Sequence, residues 1–434
     1  MAGGTESWGR YPAIEHRAVL PHSHVDTAWP SDPHTLLPRG NGRSYGDSAS
    51  NADGILLVTT RMDRLLAFEP ATGVLRAEAG VLLADVIDRF LPLGWFPAVV
   101  SGTRWITLGG AVANDVHGKN HRRQGTFGAH VSALGLRRSD GSYRELRAGE
   151  PDRMFEATVG GLGLTGMITW VEFRLRRVIG PWIQRTRHRL ANVDEYFEYV
   201  QCDAAPNEYF VAWIDCLATG KHLGRGYLDT ADHAENQGKP LEKPGAQVQV
   251  PFTPHVGLVN RFSLIPLNAA CYALAPERPR RSVVNPYAFF FPLDRVGGWN
   301  RLYGPRGFVQ YQCVVPKSDA RPVIRALLQA IADAGRGSML AVLKEFGSTA
   351  SPGLLSFPME GTTLALDFPS PDAELFRLFD RLDAILAEAD GRIYPAKDAR
   401  WPGRYFRSAY PAWPQVEALR DPAFSSTFWR RALA

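Results

Sequence analysis

Apolar and polar positions alternate at period two through much of the chain and switch to helical spacing in a few separated stretches. Residues 35–60 read as strand, glycine-rich loop and strand, the second strand being Gly54-Ile-Leu-Leu-Val-Thr-Thr60. Arg64–Glu69 and Val74–Ala79 alternate as two further strands around the Thr72-Gly73 turn. In Gly80–Leu93 the positions Val81, Ala84, Val86, Ile87, Phe90 and Leu91 fall on one face of a helix that stops at Gly94. A short helix opens at Gly109-Gly110, and Val131–Arg137 with Tyr143–Leu146 flank Asp140-Gly141 as a hairpin. Pro151–Val159 reads as a short helix and Met167–Arg177 as a strongly alternating strand. Beyond about residue 180, strand-like runs separated by Pro and Gly are joined by helices predicted over Asp319–Ala334 and Pro371–Ala389.

The pattern predicts an α+β protein. A first unit covers 1–180, and a second over 181–390 is an antiparallel sheet flanked by helices. The tail 391–434, again aromatic and basic, returns to the first. Val256–Ala275 is the most apolar stretch of the second unit, and Arg261 and Pro266 exclude a spanning helix. The first expectation for it is buried core. The alternative is an interfacial element that, with Arg278, Arg280 and Arg281 behind it, meets anionic lipid or admits a polyprenyl chain.

Composition narrows this only a little. The 434 residues allow about two to three domains. A 45% hydrophobic and 21% charged make-up is that of a folded globular protein. A net charge of +5 is mild at this length and gives no reason to expect nucleic acid. Cys202, Cys216, Cys271 and Cys313 form no CxxC pair, which points to a reducing compartment. Met1–Arg17 lacks the apolar run of a secretion signal, so a cytoplasmic protein is expected, with peripheral contact at the inner membrane face. No metal is expected, since His22 and His24 have no matching ligand cluster.

The chemistry concentrates in small-residue loops. Pro38-Arg39-Gly40-Asn41-Gly42-Arg43-Ser44-Tyr45-Gly46-Asp47-Ser48 places three glycines in seven residues, so the backbone can turn its N–H groups into one concavity and bind an anion. Alone it also reads as a glycine-rich surface loop. Gly102-Thr-Arg, Thr107-Leu108-Gly109-Gly110 and Gly160-Gly-Leu-Gly-Leu-Thr-Gly166 supply further close approaches in the same half, as a large, doubly phosphorylated cofactor requires. Gly161-x-Gly163-x-x-Gly166 matches a dinucleotide fingerprint only on paper. A helix precedes it and a strand follows, the reverse of the Rossmann order.

Taken in order, the motifs resemble a family. Arg39-Gly-x-Gly-Arg-Ser-Tyr-Gly-Asp47, Gly102-Thr-Arg-x-Ile-Thr-Leu-Gly-Gly110, Asp115-Val-His-Gly-Lys-Asn-His121 and Ala157-Thr-Val-Gly-Gly-x-Gly-Leu-Thr-Gly166 are similar to the vanillyl-alcohol-oxidase class of FAD proteins. Gln310-Tyr-Gln312, Leu343-Lys-Glu-Phe-Gly347, Leu355-Ser-Phe-Pro358 and Tyr394-Pro-Ala-Lys-Asp-Ala-Arg400 carry the similarity on, toward the decaprenylphosphoryl-β-D-ribose 2-oxidases. The resemblance implies a PCMH-type FAD-binding fold with a separate substrate domain. It implies oxidation of the 2-hydroxyl of a polyprenylphosphoryl-ribose, with a separate NAD(P)H-dependent short-chain reductase completing epimerisation to the arabinose donor. Flavin contacts would fall on Pro38 to Ser48, Gly102, Thr107 to Gly110, Asn114, Asp115, Val116, His117, Ile168 and Tyr394.

Two positions depart from relatives. Where many carry a flavin-tethering histidine the chain has Arg43, as the ribose oxidases do, so FAD is expected to be non-covalent. Thr363 and Ala365 stand where mycobacterial members carry Asn and Cys.

The resemblance makes Lys397 the candidate cation near the flavin N1/C2 edge. His117 and Tyr45 are candidates for taking the hydroxyl proton, and Lys119 for meeting sugar or phosphate. Gln310 and Gln312 share one strand face, as do Thr363, Ala365 and Asp367, and Lys344 and Phe346 repeat the arrangement, which suits the floor of a sugar pocket. Two other readings stay open at this point: oxidation of a free sugar, alditol or aldonolactone, and a flavin- or lipid-binding partner subunit without its own turnover.

Overall fold

The computed structural model describes residues 6–21, 29, 34–201, 206–235, 237–238, 241 and 248–434. His22, His24 and Cys202 lie outside them. A small parallel sheet comes first: β1 (Ala18–Pro21), β2 (Leu36–Arg39) and β3 (Ile55–Val58), in the order β1-β3-β2. β2 and β3 are the strands predicted on either side of the first glycine loop. Next to it is an antiparallel sheet of β4 (Leu65–Glu69), β5 (Val74–Glu78), β6 (Trp95–Pro97), β7 (Val131–Arg137), β8 (Tyr143–Arg147) and β9 (Met167–Arg177). Its order is β4-β5-β9-β7-β8, with β6 also on β9. The helix Leu83–Phe90 lays Leu83, Ala84, Val86, Ile87 and Phe90 inward, as its spacing requires.

The helix expected over Pro151–Val159 is shorter, Met154–Thr158, because Arg153 before it takes a left-handed φ of 57°. The fingerprint glycines Gly163 and Gly166 also have positive φ and link that helix to β9, so the strand-turn-helix context is absent, as the order of elements predicts.

The second half is one long antiparallel sheet: β10 (Trp182–Leu190), β11 (Tyr209–Ile214), β12 (Gly226–Ala234), then, after a two-residue strand β13 (Val248–Gln249), β14 (Arg280–Val284). β15 (Val296–Gly297) pairs with β13, and the long sheet resumes with β16 (Phe308–Pro316), β17 (Ala341–Phe346), β18 (Gly361–Pro369) and β19 (Arg392–Ile393). The order is β14-β10-β12-β11-β17-β18-β16-β19. The helices Ala320–Ala334 and Ala373–Glu388 cover one face, burying Ile324, Leu327, Leu328 and Ile331 from one and Leu375, Leu378, Phe379 and Leu382 from the other. This leaves the opposite face of β16–β18 for a cavity.

No packing boundary falls at residue 180. Ala157, Leu162 and Leu164 share a core with β11, β16 and the two covering helices, and Trp401, Phe406, Tyr410, Phe428 and Trp429 of the tail complete it. The tail also reaches the first sheet: Leu36 bridges to Phe424, and Thr427 N–H donates to the Ser50 carbonyl.

The core expectation for Val256–Ala275 is overturned. The helix Arg261–Ala273, capped by Asn260, buries only Leu264 and Asn268. No helix among the described residues is long and apolar enough to cross a membrane.

Candidate active site

The first loop, the second glycine loop and the open face of β16–β18 enclose a cavity of about 600 Å³. One wall is mainly backbone. Arg39 is buried and donates to the carbonyls of Glu6 and Ala49 (2.6 and 2.9 Å), which closes the base of the first loop. Asn41 Nδ2 donates to the Trp105 carbonyl at 2.8 Å and ties that loop to the second. A Cβ on Gly40 would lie 2.2 Å from Thr107 Oγ1, so glycine is what lets the two loops touch. Among the described residues the N–H groups of Asn41, Gly42, Arg43 and Ser44 donate to no protein acceptor. Arg43 Nε and Ser48 Oγ are buried without a partner, and a Cβ on Gly102 would meet nothing within 4 Å.

Buried polar groups are normally satisfied. An unspent set of amides and a guanidinium edge along an open, glycine-lined channel is therefore a donor set for a diphosphate. The residues present fit FAD. Pro38–Tyr45, Ser48, Gly102, Thr107, Gly109, Gly110, Asn114, Val116, His117, Ile168 and Tyr394 all line the cavity. Tyr394 donates its hydroxyl to the Asn114 carbonyl at 3.0 Å and stacks on Phe357, so its ring is fixed at the wall.

Six expected site residues do not line the cavity. Gly46 is pressed against the backbone of Asp398, and Asp47 is paired with Arg431 at 2.9 Å. Leu108 is core. Asp115 accepts from the Gly128 N–H and the Ser356 hydroxyl beneath the wall, and burial pushes its carboxyl up to about 6. Phe346 packs edge-on behind His117, 4.8 Å between ring centres. Thr363 is fully buried and donates to the Cys313 carbonyl at 2.8 Å. The polar face expected at Thr363 is spent inside the sheet, and only Ala365 of that pair reaches the cavity.

The second wall is polar side chain. The registers Gln312↔Ala365↔Val342 and Gln310↔Asp367 align β16, β18 and β17. Gln312 Nε2 sits 2.9 Å from His117 Nε2, and Gln310 donates to Asp367. Lys397 Nζ lies 3.4 Å from the centre of the Tyr45 ring, on its face and not at its hydroxyl. Lys119 Nζ donates to the Phe290 carbonyl at 2.8 Å.

Burial controls the ionisation here, with the lysines acting on one another. It pushes Lys344 down to about 8, and burial plus Lys344 brings Lys119 to about 7. Lys397 is likewise pushed down by burial, and Lys344 adds to this against the pull of Asp367. Burial, then Lys344, His121 and Lys397, hold the His117 imidazole neutral. Burial and Asp367 hold the Tyr45 phenol well above its ordinary range. An ionised Tyr45 is thereby removed from the expected proton acceptors.

Sequence reasoning missed a further group. Arg185 and Arg187 on β10, Trp213 on β11, and Tyr227 and Asp229 on β12 also line the cavity. Arg187 holds Asp229 through two bonds of 2.7 Å and lies 3.7 Å over the Tyr227 ring. The signal was the period-two run Arg185, Arg187, Arg189, which puts cations on one strand face.

A family model described as an FAD binding domain matches residues 29–147. Decaprenylphosphoryl-β-D-ribose oxidase of Mycolicibacterium smegmatis is 34% identical over 411 residues, 91% of this chain and 88% of that one. An uncharacterised Streptomyces coelicolor protein is 34% identical over 81% of this chain and 99% of its own. The mouse L-gulonolactone oxidase is 27% identical over only 30% of each. The chain belongs to the vanillyl-alcohol-oxidase/PCMH-type family of FAD-linked oxidases, among the relatives of decaprenylphosphoryl-β-D-ribose oxidase, and is an FAD-dependent oxidoreductase.

Proposed function

We propose that this enzyme oxidises the 2-hydroxyl of a polyprenylphosphoryl-β-D-ribose to the 2-keto sugar. That is the first half of a 2-epimerisation which a separate NAD(P)H-dependent short-chain reductase completes. The observation that carries the reading is the occupancy of one cavity by Lys119, Lys344 and Lys397, none ion-paired among the described residues, beside the glycine wall. A phosphodiester supplies the missing charge; a neutral alditol does not. The extent of identity to decaprenylphosphoryl-β-D-ribose oxidase supports the same substrate class.

Bound FAD supplies the acceptor for the carbinol hydride. The protein has to remove the hydroxyl proton and hold the ring still. Lys397 suits the first task, because burial keeps a neutral amine fraction available at lower pH than an exposed lysine would. Tyr45, kept as a phenol, forms the surface on which that amine rests. His117 is neutral. Gln312 engages its Nε2 and leaves the buried Nδ1 unpartnered for a ligand. Gln310 and Gln312 present amides to sugar hydroxyls, and Lys119 and Lys344 present charge to the phosphate.

The test is a visible spectrum of the purified protein under nitrogen. Polyprenylphosphoryl-ribose is expected to bleach the flavin, and free alditols and aldonolactones are not. Bleaching by the free sugars instead would move the assignment to them. No bleaching by any of these would refute both substrate readings.

A further inference from the structure

The helix Arg261–Ala273 inverts the usual order of a surface helix. Its outward positions Phe262, Ile265, Pro266, Ala269, Ala270 and Ala273 recur at helical spacing, are all apolar and are all exposed. Phe262 is 88% and Leu274 83% exposed, and Phe252, Val256 and Leu258 just before the helix are 56–76% exposed. A stripe about 20 Å long, the rise of thirteen helical residues, thus faces out with nothing of the described chain on it. Scattered single hydrophobes on a surface are ordinary; a contiguous face is not.

Cations flank this stripe along the chain, with one exposed acid, Glu277, among them. Arg261, Arg278, Arg280 and Arg281 are exposed, and none makes an ion pair among the described residues. The segment is also anchored to the rim of the cavity. Val259 and Leu264 pack with Trp299, which lines the cavity. Tyr272 lies 4.2 Å from the guanidinium of Arg189 on β10, the strand whose Arg185 and Arg187 face inward. β14, which carries Arg280 and Arg281, pairs with that same strand. Apolar face, basic border and cavity rim therefore share one edge of the molecule.

We propose that this edge docks on an anionic lipid bilayer, the helix lying in the interface plane with its apolar face among the acyl chains and the four arginines at the phosphate level. A second copy of the chain, or an acidic protein, would have to match both a largely apolar helix face and a border of arginines that make no ion pair among the described residues. A bilayer with anionic headgroups provides both without a shaped partner. Docking in this way sets the cavity rim at headgroup depth, where a lipid-borne phosphate lies. The docking itself does not depend on the substrate reading above.

The test uses the full-length, FAD-loaded protein in flotation with phosphatidylcholine vesicles containing or lacking phosphatidylglycerol, at two salt concentrations. Wild type is expected to float with the anionic vesicles and to lose much of that binding at high salt. Changing Arg278, Arg280 and Arg281 together to Ser should weaken it by about 100-fold, near fivefold for each arginine at the surface. Phe262→Ser with Leu274→Ser should weaken it at least tenfold at either salt. The flavin spectrum and melting temperature check that both variants are folded. Binding that ignores lipid charge, or that both variants retain, overturns the proposal. So does sedimentation velocity showing a dimer that Phe262→Ser with Leu274→Ser converts to monomer, since the stripe would then be a subunit interface.

Discussion

Replacing Arg431 with Met tests how the loops around the cavity are held together. Arg431 lies on the C-terminal helix Thr427–Leu433. Its guanidinium donates to Asp47 at 2.9 and 3.0 Å, to Asp398 at 2.8 Å and to the Trp401 carbonyl at 2.6 Å. The two carboxylates are only 2% and 5% exposed. Asp47 ends the first glycine loop, and Asp398 directly follows Lys397, so one side chain fixes both to the tail. Met keeps most of the volume but leaves two buried carboxylates facing each other. Removing one partner of a buried pair costs about 3–5 kcal/mol.

The loss also has a sign in pH. Burial pushes Asp398 up, but Arg431 and the N–H groups of Arg400 and Trp401 more than reverse this, so it titrates below the ordinary carboxylate range. A folded pKa below the unfolded one gives stability that is present above about 3.9 and lost as pH falls through the folded value. In the variant both carboxyls titrate higher, and once protonated they no longer need the arginine. The deficit against wild type should therefore be largest near neutral pH and shrink below about pH 5. Urea unfolding followed by tryptophan fluorescence at both pH values measures it, with flavin release as a second readout. A deficit under about 1 kcal/mol, or one equal at the two pH values, would refute the reasoning.

Lys344→Met removes the charge that, after burial, holds down His117 and Lys119. Both should titrate higher, and KM for a phosphorylated substrate should rise about tenfold; an unmoved pH–rate profile with unchanged KM would contradict this. Denaturation in acid or SDS is expected to release all of the yellow colour, because the family resemblance puts Arg43 where many members of the wider class would carry a tethering histidine; colour retained on the chain would show a covalent link. Gly46→Ala would put a Cβ 1.5 Å from the Asp398 carbonyl oxygen, and since both are backbone-fixed a loss of at least about 3 kcal/mol is expected in thermal unfolding. For the apoprotein, Lys119 and Lys344 titrate near 7 and 8, below their unfolded values, so the unfolded chain binds more protons above neutrality. Its stability should climb with pH from about 7 to 10, by up to about 1.4 kcal/mol per unit for each lysine; a flat or falling curve would count against the buried-cation reading.

What was legible in the sequence was mostly local. β9 has the bounds its alternation predicts, and β2, β3, β4, β5 and the two covering helices come within a residue or two. The glycine loops were readable because their chemistry resides in the backbone, which composition announces directly. The miss at Thr363 has a different origin: period two placed it on the pocket face, but its hydroxyl found the neighbouring strand's Cys313 carbonyl, a partner 50 residues away. The arginine group on β10 failed similarly. Its alternation was visible, while the partners Tyr227 and Asp229 depend on the register of β10 with β12. The clamp role of Asp47 is not visible in its own loop, because it is decided by Arg431 at the other end of the chain. In Val256–Ala275 apolar content does not mean burial: its helix buries only Leu264 and Asn268.

The cavity is costly to the protein without ligands. Carboxylates near the lysines are not absent, but none is ion-paired to Lys119, Lys344 or Lys397 among the described residues, and Asp367 keeps one oxygen without a hydrogen-bond partner. Asp229 is held by Arg187, Asp294 accepts from Thr103 Oγ1 and the Arg104 N–H, and Asp367 accepts from Gln310. An acid bonded to each lysine would remove the burial penalty and stabilise the apoprotein, yet it would also fill the place where an anion has to sit. On the proposed reading, the burial that lowers the lysine pKa values is what a negatively charged occupant would offset. Such an occupant should return the lysines toward their ordinary values and flatten the pH slope of stability. The glycine wall follows the same logic without ionisable groups: the N–H donors of Asn41, Gly42, Arg43 and Ser44 find no protein acceptor among the described residues. Cofactor and substrate ends of one cavity are thus kept incomplete by two different means, and on the substrate reading proposed above each is completed by phosphate.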